Sequence, residues 1–321
     1  MPYAHCAATV DGMAQSAHPP HTGHHPDHHW PRGHGHHHGT VTHSHDDSAL
    51  DAMAEGMAEV LDLDAAATGG FVDDLADRIA ERIASPKTLA DLGSGTGGLT
   101  VRLARRFPSA QVTALDNAPA MLERVRDAAR AADVGDRVRT RVADLDTALP
   151  GDLADLDVVW ASSTLHHFAV PDDLLRSVLD ALCPGGLLVV VEVDGLPTFL
   201  PPDTRDGRLE GRLLAQLTER GANAHPDWTS TITGAGFELI DTTIITNAPA
   251  PRDLTSRYAL AWISRMAQGL GEELSAIDRA RLDELLDPDH PASLHTRSDL
   301  TVTTRRTAWI ARRPAHHQEK P

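Results

Sequence analysis

The sequence predicts an α/β fold, with a doubly wound and mostly parallel sheet covered by helices on both faces. Three observations lead to this fold class. Short apolar segments alternate regularly with helix-like segments between residues 88 and 194, a pattern typical of parallel sheets. The strand-like segments are rich in Val, Leu and Ala, as expected for strands buried on both faces. A glycine-rich loop follows the first strand, at the edge where such sheets bind ligands.

Two helices are expected before the first strand. SALDAMAEGMAEVLDL has helical periodicity, and FVDDLADRIAERIA has an apolar stripe formed by Phe71, Leu75, Ile79 and Ile83. Pro86 is expected to end the second helix, because proline removes a backbone donor and clashes with the preceding turn. The two helices would form a cap on the neighbouring sheet.

The alternation itself predicts five strands and three helices. The strands are TLADL, QVTALD, VRTRVADL, LDVVWAS and GLLVVVEVD, and the helices are GLTVRLARRF, APAMLERVRDAARAA and PDDLLRSVLDAL. After residue 194 the pattern is looser. It predicts helices in RLEGRLLAQLTERG, LTSRYALAWISRMAQGL and LSAIDRARLDELL, and strands in GFELIDTTIIT and LTVTTRRTAWIARR.

The segment LADLGSGTGG has two interpretations. Gly93, Gly95 and Gly98 fit the G-x-G-x-x-G pattern of a dinucleotide site, whereas Asp91 followed by Gly93, Gly95 and Gly97 fits the loop of an S-adenosylmethionine site. Asp91 favours the second interpretation. A carboxylate there would oppose a pyrophosphate, but it suits a ligand that carries an ammonium group and a sulfonium.

Acidic residues also end the next two predicted strands. Asp116 lies about twenty residues beyond the loop, where an acid can accept hydrogen bonds from both ribose hydroxyls. Asp144 is placed to accept from an adenine amino group, with Leu145 beside it as an apolar contact. Because the carboxyl ends of parallel strands share one edge, the three acids predict an adenosine site there.

The stretch from 88 to 194 resembles the class I S-adenosylmethionine-dependent methyltransferases, in particular small-molecule enzymes with one Rossmann-like domain. The resemblance rests on LADLGSGTGGL, VTALDNAPAML, VRTRVADLD, DVVWASSTLHHF and LCPGGLLVVVE, in that order. It implies that the last two predicted strands form the antiparallel hairpin that closes this fold.

The resemblance also implies the cofactor, S-adenosyl-L-methionine, and its contacts. Asp91 would orient the methionyl amino group, Asp116 the ribose and Asp144 the adenine, while the stretch from Ala161 to His167 would pass close to the transferable methyl. The full set of cofactor-binding candidates is Asp91, Gly93, Ser94, Gly95, Gly97, Asp116, Asn117, Met121, Asp144, Leu145, Ala161 and Ser162.

Methyl transfer is an in-line displacement that needs a base only if the acceptor must lose a proton. His166 and His167 are the candidates for that base, with the alternative that one packs against the cofactor and the other binds backbone. Glu192 and Asp194 end the fifth strand and would either hold an amine substrate or cap a loop. The acceptor is expected to be a small molecule with an O, N or C nucleophile.

Composition excludes several partners. The net charge of −17 argues against nucleic acid, whose affinity comes from Lys and Arg. No apolar run is long enough to span a membrane, and Cys6 and Cys183 are too few for a cysteine metal site. A cytoplasmic protein is therefore expected.

Of the 20 histidines, 13 lie in the first 48 residues, interleaved with Pro, Gly, Ser and Thr. Such a segment buries too little apolar surface to fold, and closely spaced imidazoles, with His34, His36, His37 and His38 the densest, would bind a divalent metal weakly. Two alternatives to a methyltransferase are thus a metal-binding or metal-storage protein acting through this tail and, less favoured, an NAD-dependent oxidoreductase.

The expected organisation has four parts. Disordered tails would cover residues 1–48 and 314–321, and a helical cap residues 49–87. The methyltransferase domain would cover residues 88–313, with helical insertions near 196–232 and 248–297.

Overall fold

A computed structural model of the protein describes residues 46–146 and 148–315. Its sheet has seven strands in the order β3-β2-β1-β4-β5-β7-β6. All neighbouring pairs are parallel except those of β7, which runs antiparallel to both β5 and β6. The strands are β1 Thr88–Leu92, β2 Gln111–Asp116, β3 Val138–Val142, β4 Leu156–Ser162, β5 Leu182–Val193, β6 Glu238–Thr246 and β7 Arg305–Arg312. The predicted Rossmann-like sheet with a closing antiparallel hairpin is confirmed.

Nine α-helices lie within the described ranges. They are α1 Asp46–Thr68, α2 Phe71–Ala80, α3 Gly98–Arg106, α4 Pro119–Ala131, α5 Pro171–Ala181, α6 Arg205–Glu219, α7 Thr229–Gly234, α8 Arg252–Leu270 and α9 Ala276–Leu286. Helices α2, α3 and α4 pack on one face of the sheet, and α5 and α7 on the other. The sheet is therefore covered on both faces, as the alternation predicts.

A third apolar cluster lies outside these two layers. It joins α1, α6, α8 and α9, that is, the first helix and the helical segments that follow β5. Tyr258 and Met266 of α8 are buried in it, at 2% and 3% exposure. The cluster places α1 and α8 side by side, although about 190 residues separate them in the chain.

Several element ends differ from the sequence predictions. Helix α2 ends at Ala80, six residues before Pro86, and α1 begins at Asp46 rather than near Ser48. Strand β3 ends at Val142, before Asp144. Strand β5 begins at Leu182, earlier than GLLVVVEVD predicts, and the six-residue helix α7 was not predicted. No helix of the described ranges is long and apolar enough to cross a membrane.

Candidate active site

A cavity of about 590 Å³ opens at the carboxyl ends of the central strands. Its floor is formed by the loops that follow β1, β2, β3 and β4, and its roof by α1 and α8. The segment after β5, beginning at Gly195, supplies another wall. This is the edge at which open parallel sheets bind their ligands.

The glycine-rich loop between β1 and α3 needs its glycines for two reasons. Gly93, Gly95 and Gly97 have φ angles of +64°, +53° and +86°, a region that residues with a Cβ adopt only under strain. Neighbouring atoms also leave little room for a side chain. A Cβ on Gly93 would lie 2.0 Å from the hydroxyl of Thr164, and one on Gly97 would lie 2.8 Å from Cα of Val125.

Asp91, at the end of β1, is a buried carboxylate on the cavity wall. It is 3% exposed, and its Oδ2 accepts a hydrogen bond of 2.6 Å from the hydroxyl of Thr100. Burial raises the pKa of Asp91 to about 7, the Thr100 hydrogen bond opposes that rise, and the charge of Asp116 adds to it. A bound cation would therefore be strongly favoured beside Asp91.

Asp116 is the last residue of β2, and Asp144 follows β3 on the same edge of the sheet. The two oxygens of Asp116 accept 2.9 Å hydrogen bonds from the backbone N–H groups of Gly95 and Ala118. The Asp116 carboxylate thus fixes the glycine-rich loop as well as lining the cavity. Asp144 is exposed and accepts from the N–H of Asp146 at 3.1 Å.

The structure brings most of the predicted cofactor contacts together. Those that line the cavity are Asp91, Gly93, Ser94, Gly95, Asp116, Asn117, Asp144, Leu145 and Ser162. The other three lie behind the wall. Gly97 packs against α4, while Met121 and Ala161 are buried at 5% and 1% exposure. The candidate metal ligands His34, His36, His37 and His38 lie outside the described residues.

His166 and His167 both line the cavity, in a short 3₁₀ helix after β4. Nδ1 of His166 lies 2.7 Å from Oε2 of Glu192, and its backbone N–H donates to Oε1 of Glu192 at 3.3 Å. Glu192 is fully buried. The His167 ring is tilted against the His166 ring, with 4.0 Å between centroids. Desolvation, followed by the neighbouring His166, lowers the pKa of His167 to about 4, so His167 is neutral at pH 7.

Asp194 does not reach the cavity wall. Its carboxylate accepts hydrogen bonds from Thr307, at 2.8 and 3.0 Å, and from Arg305, at 3.0 Å. Neither Glu192 nor Asp194 is among the residues that line the cavity: Glu192 lies behind His166, and Asp194 ties the end of β5 to β7.

The far wall contains residues that sequence reasoning missed. Arg306 of β7 is 3% exposed, and its Nη2 donates to Asp64 of α1 at 2.8 and 3.0 Å. Tyr258 of α8 donates to the same carboxylate at 3.0 Å. The guanidinium also lies 4.9 Å from the ring centroid of Phe71. No motif in the sequence relates these positions.

Two more arginines line this wall. Arg220 follows α6 directly and pairs with Glu273, and Arg265 belongs to α8. The cavity thus has carboxylates at the ends of β1, β2 and β3 and three guanidinium groups beyond β4, where α6, α8 and β7 meet it.

The carboxylate edge fits S-adenosylmethionine by its chemistry. A cationic ligand would neutralise Asp91 and leave Asp116 and Asp144 as acceptors, and Leu145 offers an apolar surface for a ring. The hydroxyl oxygen of Ser94, in the glycine-rich loop, is buried and has no hydrogen-bond partner among the described residues. Such unpaired polar groups are rare in folded proteins, and a bound ligand accounts for this one.

Comparison with known proteins agrees with this geometry. Residues 89–186 match a family model described as a methyltransferase domain. Trans-aconitate 2-methyltransferase of Streptomyces coelicolor is 32% identical over 264 residues, which cover 75% of this chain and 81% of that protein. Demethylmenaquinone methyltransferase of Thermus thermophilus is 39% identical over 118 residues, 37% of this chain and 50% of that protein.

Other relatives match over less than half of their own length, among them trans-aconitate 2-methyltransferase of Streptomyces avermitilis, of which 42% is covered. Among solved structures, geranyl diphosphate C-methyltransferase of Streptomyces coelicolor A3(2) aligns with a TM-score of 0.41 at 18% identity, over 75% of this chain and 78% of that one.

Proposed function

The chain belongs to the class I S-adenosylmethionine-dependent methyltransferases, and on that premise we propose that it methylates a small carboxylic acid. Transfer of a methyl group from S-adenosyl-L-methionine to a small-molecule acceptor is the reaction of this family of relatives. The proposal concerns which acceptor is used and which residues bind each partner. The observation that carries it is the distribution of charge along the cavity, with Asp91, Asp116 and Asp144 at one end and three arginines at the other. The arginines are Arg265, Arg220, which pairs with Glu273, and Arg306, which pairs with Asp64.

The acid end is proposed to hold the cofactor. When bound, S-adenosylmethionine supplies a methyl carbon activated by a positively charged sulfur. The Asp91 carboxylate would pair with the ammonium group, and Asp116 and Asp144 would accept hydrogen bonds from the adenosine part. Because these carboxylates are fixed by Thr100, by backbone N–H groups and by the strand ends, the cofactor would be oriented with little further ordering.

The arginine end is proposed to hold the acceptor. Guanidinium groups bind carboxylates with two parallel hydrogen bonds, and a site that excludes water strengthens these bonds. Arg306 uses Nη1 and Nη2 for Thr304 and Asp64, so its position is fixed by the fold. Support also comes from the relative that matches over most of its length, since its name gives trans-aconitate, a carboxylic acid, as its substrate.

An acceptor screen tests the proposal. Transfer of labelled methyl from S-adenosylmethionine is measured for trans-aconitate, benzoate and 4-hydroxybenzoate, each beside its amide. Acids are expected to be methylated or to bind the protein saturated with S-adenosylhomocysteine, and the amides to do neither. Equal binding and equal turnover of acids and amides would refute an acid-specific site.

A pair of variants locates the acid. Arg220→Gln is expected to raise KM for the acid by about 10- to 100-fold, because a hydrogen bond to a charged group contributes about 1.5–3 kcal/mol. Arg212→Gln is the matched control, since Arg212 lies on α6, which Arg220 directly follows, and pairs with Asp278 but does not line the cavity. Its KM is expected to be unchanged.

The cytoplasmic location and metal binding by the histidine-rich segment stay predictions.

A further inference from the structure

We infer that His166, held by Glu192, takes a proton from the acceptor, so that the methylated atom is a hydroxyl oxygen rather than a carboxylate oxygen. The inference deepens the proposed function and rests on it in one respect, that the acceptor binds beside the arginines. It assigns two roles within one acceptor. The carboxylate binds, and a neighbouring hydroxyl receives the methyl group.

The geometry fixes which imidazole nitrogen meets the acceptor. Glu192 accepts from Nδ1 of His166 at 2.7 Å, which selects the tautomer with its proton on Nδ1. The described residues provide no hydrogen-bond partner for Nε2. Since His166 lines the cavity and its side chain is only 10% exposed, Nε2 is a bare nitrogen lone pair on the cavity side of a nearly buried ring.

The location of His166 is also suitable. Two residues before it, Thr164 packs against Gly93 of the glycine-rich loop, where a Cβ would lie 2.0 Å from the Thr164 hydroxyl. His166 therefore follows directly on the part of the wall that borders the cofactor loop. It lies between the carboxylate edge and the arginine wall in the order of the sheet, because β4 separates β1 from β5 and β7.

A merely structural role explains these contacts less well. Glu192 could stabilise the 3₁₀ helix through the backbone N–H of His166 alone, at 3.3 Å. A fully buried carboxylate is costly, however, and the second contact, to the imidazole, orients a ring toward a ligand cavity. A carboxylate that accepts a hydrogen bond from a histidine positions that histidine as a general base in many enzymes.

A carboxylate acceptor would have no use for such a base. Carboxylic acids have already lost their proton at pH 7, since their ordinary pKa is about 4. A hydroxyl has not, and its oxygen becomes a good nucleophile only as the proton leaves. A proton-accepting pair in the wall therefore indicates a hydroxyl acceptor.

The step balances as follows. The acceptor oxygen forms a bond to the methyl carbon while the carbon–sulfur bond breaks and its electron pair stays on sulfur. The hydroxyl proton moves to Nε2 of His166, and the imidazolium so formed is stabilised by the Glu192 carboxylate. The proton then passes to water. His167 does not compete for this role, because it has no carboxylate partner among the described residues and its pKa of about 4 makes it a weak base.

Nitrogen NMR of histidine-labelled full-length protein tests the tautomer without any acceptor. In the complex with S-adenosylhomocysteine at pH 8, the His166 signals, identified by their loss in His166→Gln, are expected to show a proton on Nδ1 and none on Nε2. Glu192→Gln is expected to abolish that preference. A proton on Nε2, or no response to Glu192→Gln, would overturn the inference.

Turnover of 4-hydroxybenzoate, with benzoate as the matched acid that lacks a hydroxyl, gives the second test. The labelled product is expected to be an ether that survives alkali. His166→Ala should lower kcat by about 100-fold or more with KM unchanged, and added imidazole should restore part of the loss. His225→Gln is the control, because His225 binds the backbone oxygens of Val193 and Pro226 and is not itself among the residues that line the cavity.

The outcomes separate the two proposals. An alkali-labile methyl ester, or full activity of His166→Ala, overturns the role of His166 and leaves the acid acceptor intact. Methylation of 4-hydroxybenzamide as efficient as that of the acid, but dependent on His166, refutes the acid acceptor and leaves the role of His166 intact. If neither 4-hydroxybenzoate nor 4-hydroxybenzamide is methylated, the tautomer of His166 found by nitrogen NMR decides whether His166 can act as the base.

Discussion

Replacing Asp91 with Asn is expected to stabilise the protein without ligand and to weaken its binding of S-adenosylmethionine. Asn keeps the shape of the side chain and an oxygen that can accept from Thr100, but it carries no charge. The carboxylate it replaces is buried beside Asp116 at the cavity wall. Removing that charge therefore relieves a desolvation cost that the bound cofactor would otherwise offset.

The magnitude follows from the pKa of Asp91, which burial raises from 3.8 to about 7. Between these two values the folded protein holds a proton that the unfolded chain has lost, so its stability falls as pH rises. The pKa of Asp91 is shifted by about three units, and each unit corresponds to about 1.36 kcal/mol. Above pH 7 the ionised Asp91 therefore destabilises the folded protein by about 4 kcal/mol. Asp91→Asn lacks this fall in stability. Its free energy of unfolding should equal that of the parent at pH 4 and exceed it by about 4 kcal/mol above pH 7.

Denaturant unfolding without ligand, from pH 4 to pH 8, measures this difference, since other titrating groups are common to both proteins and cancel. Asp144→Asn is the control at the same sheet edge, because its carboxylate is exposed and its removal relieves no burial cost. Calorimetry with S-adenosylmethionine should show affinity that rises between pH 5.5 and 7.5 in the parent and stays flat and weaker in Asp91→Asn. Parallel stability curves for parent and variant would refute the reasoning.

Three further predictions concern stability. Gly97→Ala should cost about 1–3 kcal/mol and lower the thermal midpoint, because it forces a Cβ into a left-handed φ of +86° and to 2.8 Å from the backbone of α4; Gly151→Ala, with open space around it, should not. Arg306→Met should cost about 1.5–3 kcal/mol by removing the charged partner of Asp64, which keeps hydrogen bonds from Tyr258 and Thr68. The double change that adds Asp64→Leu should recover much of the loss in urea unfolding. A protein lacking residues 1–45 should keep its thermal midpoint and its affinity for S-adenosylhomocysteine, and a drop in either would contradict the expected independence of that segment.

The sheet was predictable because its signals are local. Strands β1, β2 and β4 are short, mostly apolar runs, and their ends agree with the sequence segments residue for residue. Where the local signal conflicts with packing, the prediction fails. The apolar stripe of α2 extends to Ile83, yet the helix ends at Ala80 and the chain closes in turns before β1.

The cofactor edge of the site was predictable for a similar reason. Asp91 and Asp116 lie at the carboxyl ends of β1 and β2, and Asp144 follows β3. Parallel strands bring their ends together, so adjacency in space follows from topology alone. Met121 and Ala161 did not follow this logic. They lie one turn into α4 and inside β4, where the side chain points into the core rather than toward the cavity.

The arginine side of the cavity could be located only from the tertiary structure. Asp64 and Arg306 are 242 residues apart and meet only because the first helix packs beside α8 over the strand ends. Glu192 likewise meets His166 because β4 and β5 are neighbours, a pairing that places Val191 beside Ser162. Charged residues in these segments are common, and nothing in the sequence distinguishes the few that converge from those that remain on the surface.

Helix α1 contacts both halves of the cavity. Ala65 of α1 lies so close to the glycine-rich loop that a Cβ on Gly98 would be 2.7 Å from its side chain, and Asp64 beside it binds Arg306 and Tyr258. One turn of α1 therefore contacts both the glycine-rich loop and the arginine side of the cavity. Any displacement of that turn changes the loop and the arginine end together, so cofactor and acceptor affinity should be coupled, with each ligand raising the affinity for the other by the same factor.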